Sequence, residues 1–305
     1  MTDYGMGRAD MVYGFSGLHP RLSLLYFIVL LGACMMFQHP VYLLASFLCI
    51  IALLFSLDGG RALKKVIKGY LLIAFIILIS NPLFSSRGAT ILFYVWDRPV
   101  TLEAIVYGAI FALSLLNILL AFVAFNLVVT PDKLLYLLTP YAPRTAFVIT
   151  VTLRFVPLLT RRLQQIMTIQ KVMGYLQSGG NKKLLMREGM ETLHTLVGWS
   201  LEEALQTASS MRARGYGIGR RSSGTAYRMD RRDSIVLWIM IITGLNVAIG
   251  AFFGVNQYEV YPRLQALHWS FQLGIHLFSY GIFIAIPLVM NGKEWLHWRI
   301  IRSSM

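Results

Sequence analysis

The residues best suited to act on a partner lie in one run, Met211-Arg212-Ala213-Arg214-Gly215-Tyr216-Gly217, where an amphipathic helical pattern runs out into glycine. The planar guanidinium of Arg214 can fork two hydrogen bonds onto a carboxylate or a pair of carbonyls. A cation is also favoured at a helix C-terminus by the macrodipole, by ~0.3–1 kcal/mol, and Gly215 permits a left-handed cap. The glycines of Gly215-Tyr216-Gly217-Ile218-Gly219 follow a helical pattern rather than a strand. No glycine-rich loop here ends in Gly-Lys-Ser/Thr, so a nucleotide site is not expected. The histidines (His19, His39, His194, His268, His276 and His297) show no paired ligand spacing. Cys34 and Cys49 lie inside apolar runs without metal or redox spacing. Glu202 and Glu203 share a helix face with basic neighbours, which is ordinary surface chemistry. Neither a cofactor nor a metal is expected, and the chain does not read as an enzyme.

The elements that position these residues are set by composition. Of 305 residues 56% are hydrophobic and 14% charged, with a mean hydropathy of +0.61. A soluble chain carries about 25% charged residues. The apolar residues come in blocks that approach or exceed the ~20 needed to cross ~30 Å of hydrocarbon as a helix. Six spans are expected near 22–38, 41–57, 69–83, 101–129, 235–253 and 270–290, an all-α polytopic membrane protein. Residues 1–17 hold Asp3, Arg8 and Asp10 and no apolar core, so the first span is expected to be retained rather than cleaved. Within this layout only Arg87, Arg98 and Arg263 fall on one side, against the remaining 25 of 28 Lys and Arg. That bias places both termini and the 130–234 region in the cytoplasm of a cell (inner or plasma) membrane protein. It also accounts for the net charge of +14 as topology with some attraction to anionic lipid, not nucleic acid.

The division expected is a four-span region 1–129, a cytoplasmic region 130–234 and a two-span region 235–305. Gln38-His39-Pro40 leaves almost no loop between the first two spans, and 83–100 reads as an interfacial or re-entrant piece rich in aromatics. Thr130-Pro131-Asp132 is a helix start. The stretch 145–159, with Arg154 inside it, fits either a membrane-depth segment or a partly buried helix. Two amphipathic helices follow. One carries the stripe Leu159, Leu163, Ile166, Gln170, Met173 and Leu176, and the other carries Leu193, Val197, Leu201, Ala204, Ala208 and Met211. Ser178-Gly179-Gly180-Asn181 separates them. Arg220, Arg221, Arg228, Arg231 and Arg232 lead back to the membrane. Neither stripe is apolar enough to span a bilayer, so each must pack on something else.

Asn81-Pro82-Leu83-Phe84 followed by Arg87-Gly88, Leu153-Arg154-Phe155-Val156-Pro157, and Ala213-Arg214-Gly215 occur in that order. Together they resemble the transmembrane T component of energy-coupling factor (ECF) transporters, the family that includes the CbiQ cobalt-transport proteins. The resemblance runs from His19-Pro20 to about Asp233. It implies a non-catalytic scaffold that holds a substrate-binding S component in the membrane. Its coupling helices dock by Ala-Arg-Gly ends on two cytoplasmic ABC-type ATPases, whose hydrolysis drives uptake of a vitamin or metal ion. The implied docking residues are Ala213, Arg214 and Gly215 at one end. At the other end Val172-Met173-Gly174 stands where a second Ala-Arg-Gly is expected, so only the glycine matches. That contact is expected to be more apolar, and two different ATPases fit such an asymmetric pair better than two copies of one. Arg154 and Pro157 are implied to support the helices, although Arg154 also fits a cation snorkelling to the interface and Pro157 a simple kink. A self-sufficient permease is the competing reading. It would have to use Asn117, Asn126, Asn246 and His276, since the spans lack central charges.

Overall fold

The computed structural model describes residues 14–85, 88–95, 98–174, 182–219, 227, 229–254, 258, 260, 261 and 270–303. Arg87, Leu176, the 178–181 break, Arg220, Arg221, Arg228, Arg263 and His268 lie outside them.

Among the described residues the order is a 3-10 turn at Phe15–Gly17, then α1 (Pro20–Met36), α2 (Pro40–Asp58) and α3 (Arg61–Phe84). Two strands come next, β1 (Ile91–Val95) and β2 (Arg98–Thr101). They are followed by α4 (Leu102–Val128), α5 (Pro131–Leu138), α6 (Pro143–Val172), α7 (Lys182–Ala213), α8 (Arg231–Phe252) and α9 (Phe271–Ser303). Five of these, α2, α3, α4, α8 and α9, are long and apolar enough to cross a membrane, and α1 is a shorter apolar helix of 17 residues. The protein is an all-α, multi-pass membrane protein. The chain divides into two compact units, Met1–Pro131 with Tyr227–Met305, and Asp132–Ala226.

In the first unit α4 packs against α1, α2 and α3, while α9 packs on α2 and α8. Proline at the first position of α1 and α2 starts each helix where its missing N–H costs nothing. The core is aromatic: Phe15, Tyr26, Phe27, Phe37, Tyr42, Tyr280 and Phe283 are almost fully buried. Several buried hydroxyls find partners within it, although Ser23 Oγ has none among the described residues. The Ser46 and Tyr280 hydroxyls lie 2.6 Å apart, and the Tyr26 hydroxyl donates to the Ile284 carbonyl. Gly108 of α4 lies against α3, where a Cβ would stand 3.1 Å from that of Asn81.

The segment read as interfacial folds as an antiparallel hairpin, pairing Ile91 with Thr101 and Val95 with Arg98. Ile91, Leu92, Phe93, Tyr94 and Val95 are strand formers, so residues that suit the headgroup zone suit a strand as well. An isolated hairpin is marginal. This one is tied down by the buried Glu103, whose carboxylate accepts the Ala89 and Thr90 N–H groups.

Candidate functional site: two exposed helix ends

The second unit is built on α6 and α7. The stretch 145–159 and the first amphipathic helix are one continuous helix, α6, which runs through Pro157 without ending. Three contacts fix how α7 lies on it. The Thr192 hydroxyl is 2.6 Å from the Gln170 Oε1, the Arg162 guanidinium sits 5.0 Å from the Trp199 ring centre, and Phe147 stacks on Tyr216 at 5.1 Å. As the α6 position falls from 170 to 147, its partner rises from 192 to 216. The helices therefore run antiparallel along most of their length.

The C-terminus of each helix is closed by a left-handed glycine, Gly174 at φ +78° and Gly215 at φ +76°. At the α7 end the Tyr216 N–H donates to the Met211 carbonyl and the Gly215 N–H to the Arg212 carbonyl, both at 2.9 Å. These paired bonds are a Schellman motif, which satisfies carbonyls the helix cannot. At the α6 end the Gly174 N–H donates to the Lys171 carbonyl at 3.2 Å, the equivalent of the Gly215 bond. Val172, Met173 and Gly174 thus occupy the same cap positions as Ala213, Arg214 and Gly215. A cation is shared as well as the glycine, because Lys171 stands where Arg212 does. Sequence reading passed over this match, although both residues lie one helical step before the pair being compared.

Ala213 and Arg214 are exposed, and so are Val172 and Met173, at 83% and 67%. A valine and a methionine open to this degree at a helix end leave apolar surface for a partner. The two ends are not brought together. Tyr216 lies beside Phe147, and Met173 is 26 residues further along α6, ~39 Å at ~1.5 Å per residue. Arg154, exposed on α6, is seven residues from Phe147, and Pro157 follows one turn later. Both accompany the Arg214 end rather than the Met173 end.

The apolar stripes fare differently. Leu159, Leu163, Ile166 and Gln170 are all half-buried. In α7 the more protected side is Thr192, Leu196, Trp199 and Glu203. The expected stripe of Leu193, Val197 and Leu201 is instead more than half exposed, and Met186, Met190 and Leu205 extend it. Packing on α6 was decided by the Trp199 ring and the Thr192 hydroxyl, which hydropathy alone does not rank highly.

Asn117, Asn246 and His276 make hydrogen bonds between helices, the exposed Asn126 bonds back within its own helix, and Asn117 Oδ1 is buried without a partner among the described residues. The Asn117 amide donates to the Leu43 carbonyl at 2.9 Å, the Asn126 amide to that of Phe122, and His276 Nδ1 lies 2.8 Å from Asn246 Oδ1. Among the described residues no three His, Cys, Asp or Glu side chains converge as a metal site would require.

Comparison with known proteins bears on what such ends do. The family described as "Cobalt transport protein" (CbiQ) matches residues 15–224. The energy-coupling factor transporter transmembrane protein EcfT of Exiguobacterium sibiricum is 26% identical over 206 residues, 63% of this chain and 78% of that protein.

Proposed function

The chain belongs to the CbiQ cobalt transport protein family, and from that premise we propose that it is the coupling subunit of an ECF-type importer, docking two cytoplasmic ABC-type ATPases and holding a membrane-embedded S component. The observation that carries this reading is the pair of exposed helix ends, each closed by a left-handed glycine, ~39 Å apart on one antiparallel helix pair. Ends that far apart suit two separate partners better than one pocket.

Arg214 is the docking cation of one end, with Ala213 and Gly215 shaping its approach. Val172 and Met173 make the apolar contact of the other end, turned by Gly174. Because the ends differ in charge, the ATPases are a heterodimer. The open α7 stripe from Met186 to Leu205 is the surface left for the membrane-embedded partner. Arg154 and Pro157 hold the α6 segment beside the Arg214 end. Both chain termini and the α5–α7 region face the cytoplasm, and the cargo, a vitamin or metal ion, is chosen by the S component. The mutual contact of Asn246 and His276, 2.8 Å apart, favours this reading over a self-sufficient permease.

The test is affinity purification from native membranes, then reconstitution with each co-purifying ATPase alone and with both. The purified chain alone is expected to hydrolyse no ATP and to bind no cargo tightly. Both ATPases together are expected to restore uptake. Full uptake with a single ATPase species overturns the heterodimer, and tight cargo binding by the lone chain returns the permease.

A further inference from the structure

We infer that the first two turns of α3 are a binding surface for anionic phospholipid headgroups, with Arg61, Lys64, Lys65 and Lys68 clasping the phosphates. The four cations recur at i, i+3, i+4 and i+7 and so share one face of the helix. All four are exposed. The opposite face is apolar and anchored, with Leu63 buried in the aromatic core and Ile67 and Tyr70 packed against it. Among the described residues none of the four cations is in an ion pair. The acid next to them, Asp58, accepts the Ala62 N–H at 3.1 Å and so caps the helix. The free N–H groups of that first turn add further positive potential.

Helix length decides which anion this face meets. The 24 residues of α3 measure ~36 Å, within the ~40–45 Å of a bilayer counted with its headgroups. The apolar part, residues 69–84, is only ~24 Å, shorter than the ~30 Å hydrocarbon layer. The helix therefore draws residues 61–68 down to headgroup depth, where long basic side chains reach the phosphates. A soluble acidic protein would have to enter that layer to reach them.

The test uses the full chain in nanodiscs of phosphatidylcholine with a minority of phosphatidylglycerol, reading retained lipid by native mass spectrometry. Wild type is expected to enrich phosphatidylglycerol. The triple variant Lys64→Gln, Lys65→Gln, Lys68→Gln is expected to lose about fivefold of that preference per cation removed. The triple arginine variant at the same positions is expected to keep it. Should the triple glutamine variant fail to insert, the three single variants read the same loss one cation at a time. Unchanged enrichment in the glutamine variants overturns the inference. So does displacement of the lipid by millimolar inorganic phosphate, which would make the face a site for free anions. Loss of ATPase association with lipid enrichment unchanged would assign the face to an acidic protein instead.

Discussion

The guanidinium of Arg162 lies 5.0 Å from the centre of the Trp199 ring, joining α6 to α7 between the outer contacts at Gln170 and Phe147. A cation over an indole face contributes about 0.5–1 kcal/mol at a partly exposed site. Arg162→Ala and Trp199→Ala are each expected to weaken the helix pair. A double-mutant cycle on thermal unfolding is expected to give a coupling of about that size. Strict additivity of the two changes would show that the ring and the cation are mere neighbours.

Reversing the charge at the α7 cap is expected to stop transport without unfolding the protein. Arg214→Glu places an acid against the helix C-terminus, at a cost of about 1 kcal/mol or less, too little to unfold the unit. Uptake in cells is expected to be abolished while membrane insertion stays normal. Met173→Leu, by contrast, keeps an apolar side chain at the equivalent cap and is expected to transport nearly as well as wild type. If Met173→Leu is as damaging as Arg214→Glu, the α6 end is not a soft apolar contact.

Gly215 holds φ at +76°. Gly215→Ala is expected to cost roughly 1–2 kcal/mol through left-handed strain, and Gly215→Asn distinctly less. Hydrogen exchange at the Tyr216 amide, bonded to Met211 in the cap, is the local measure. Equal protection in wild type and the alanine variant would remove the Schellman cap from the account.

Topology follows from the charge bias. In a Cys34→Ala, Cys49→Ala background, single cysteines at Ser85 and Asn256 are expected to react with impermeant maleimide from outside. Cysteines at Ser178 and Ser222 are expected to react only after permeabilisation. External labelling at Ser222 would invert the orientation and put α6 and α7 on the wrong side for ATPases.

The five long apolar helices and the shorter α1 were legible because lipid leaves long apolar runs no other fold. The α1, α2 and α4 boundaries fall within two residues of expectation. The start of α3 does not: the helix begins at Arg61 rather than near residue 69, because lysine and arginine end an apolar run but are good helix formers. The β1–β2 hairpin was hidden because Ile91, Leu92, Phe93, Tyr94 and Val95 suit an interface and a strand alike. Pro157 was read as a kink or support, and it lies inside the continuous α6. The equivalence of the two helix ends was half legible: the glycines and the Val-Met substitution were visible, the Lys171–Arg212 match was not. The face that α7 turns to α6 depends on one ring and one hydroxyl, below the resolution of a hydropathy pattern.

Antiparallel packing sets the start of α6 beside the end of α7, as Phe147 and Tyr216 show. The partial charges of their backbones, about half an electron of each sign, partly offset one another at that pole. What a distant partner feels is then set by side chains. One pole carries Arg212 and Arg214, the other Lys171 next to the neutral Met173. At physiological salt such charges reach ~8 Å before they are screened. With the proposed docking role, the Arg214 pole is expected to capture its partner from a distance, at a rate that falls with ionic strength. The Met173 pole is expected on the same reading to engage chiefly on contact, with a rate that depends less on salt.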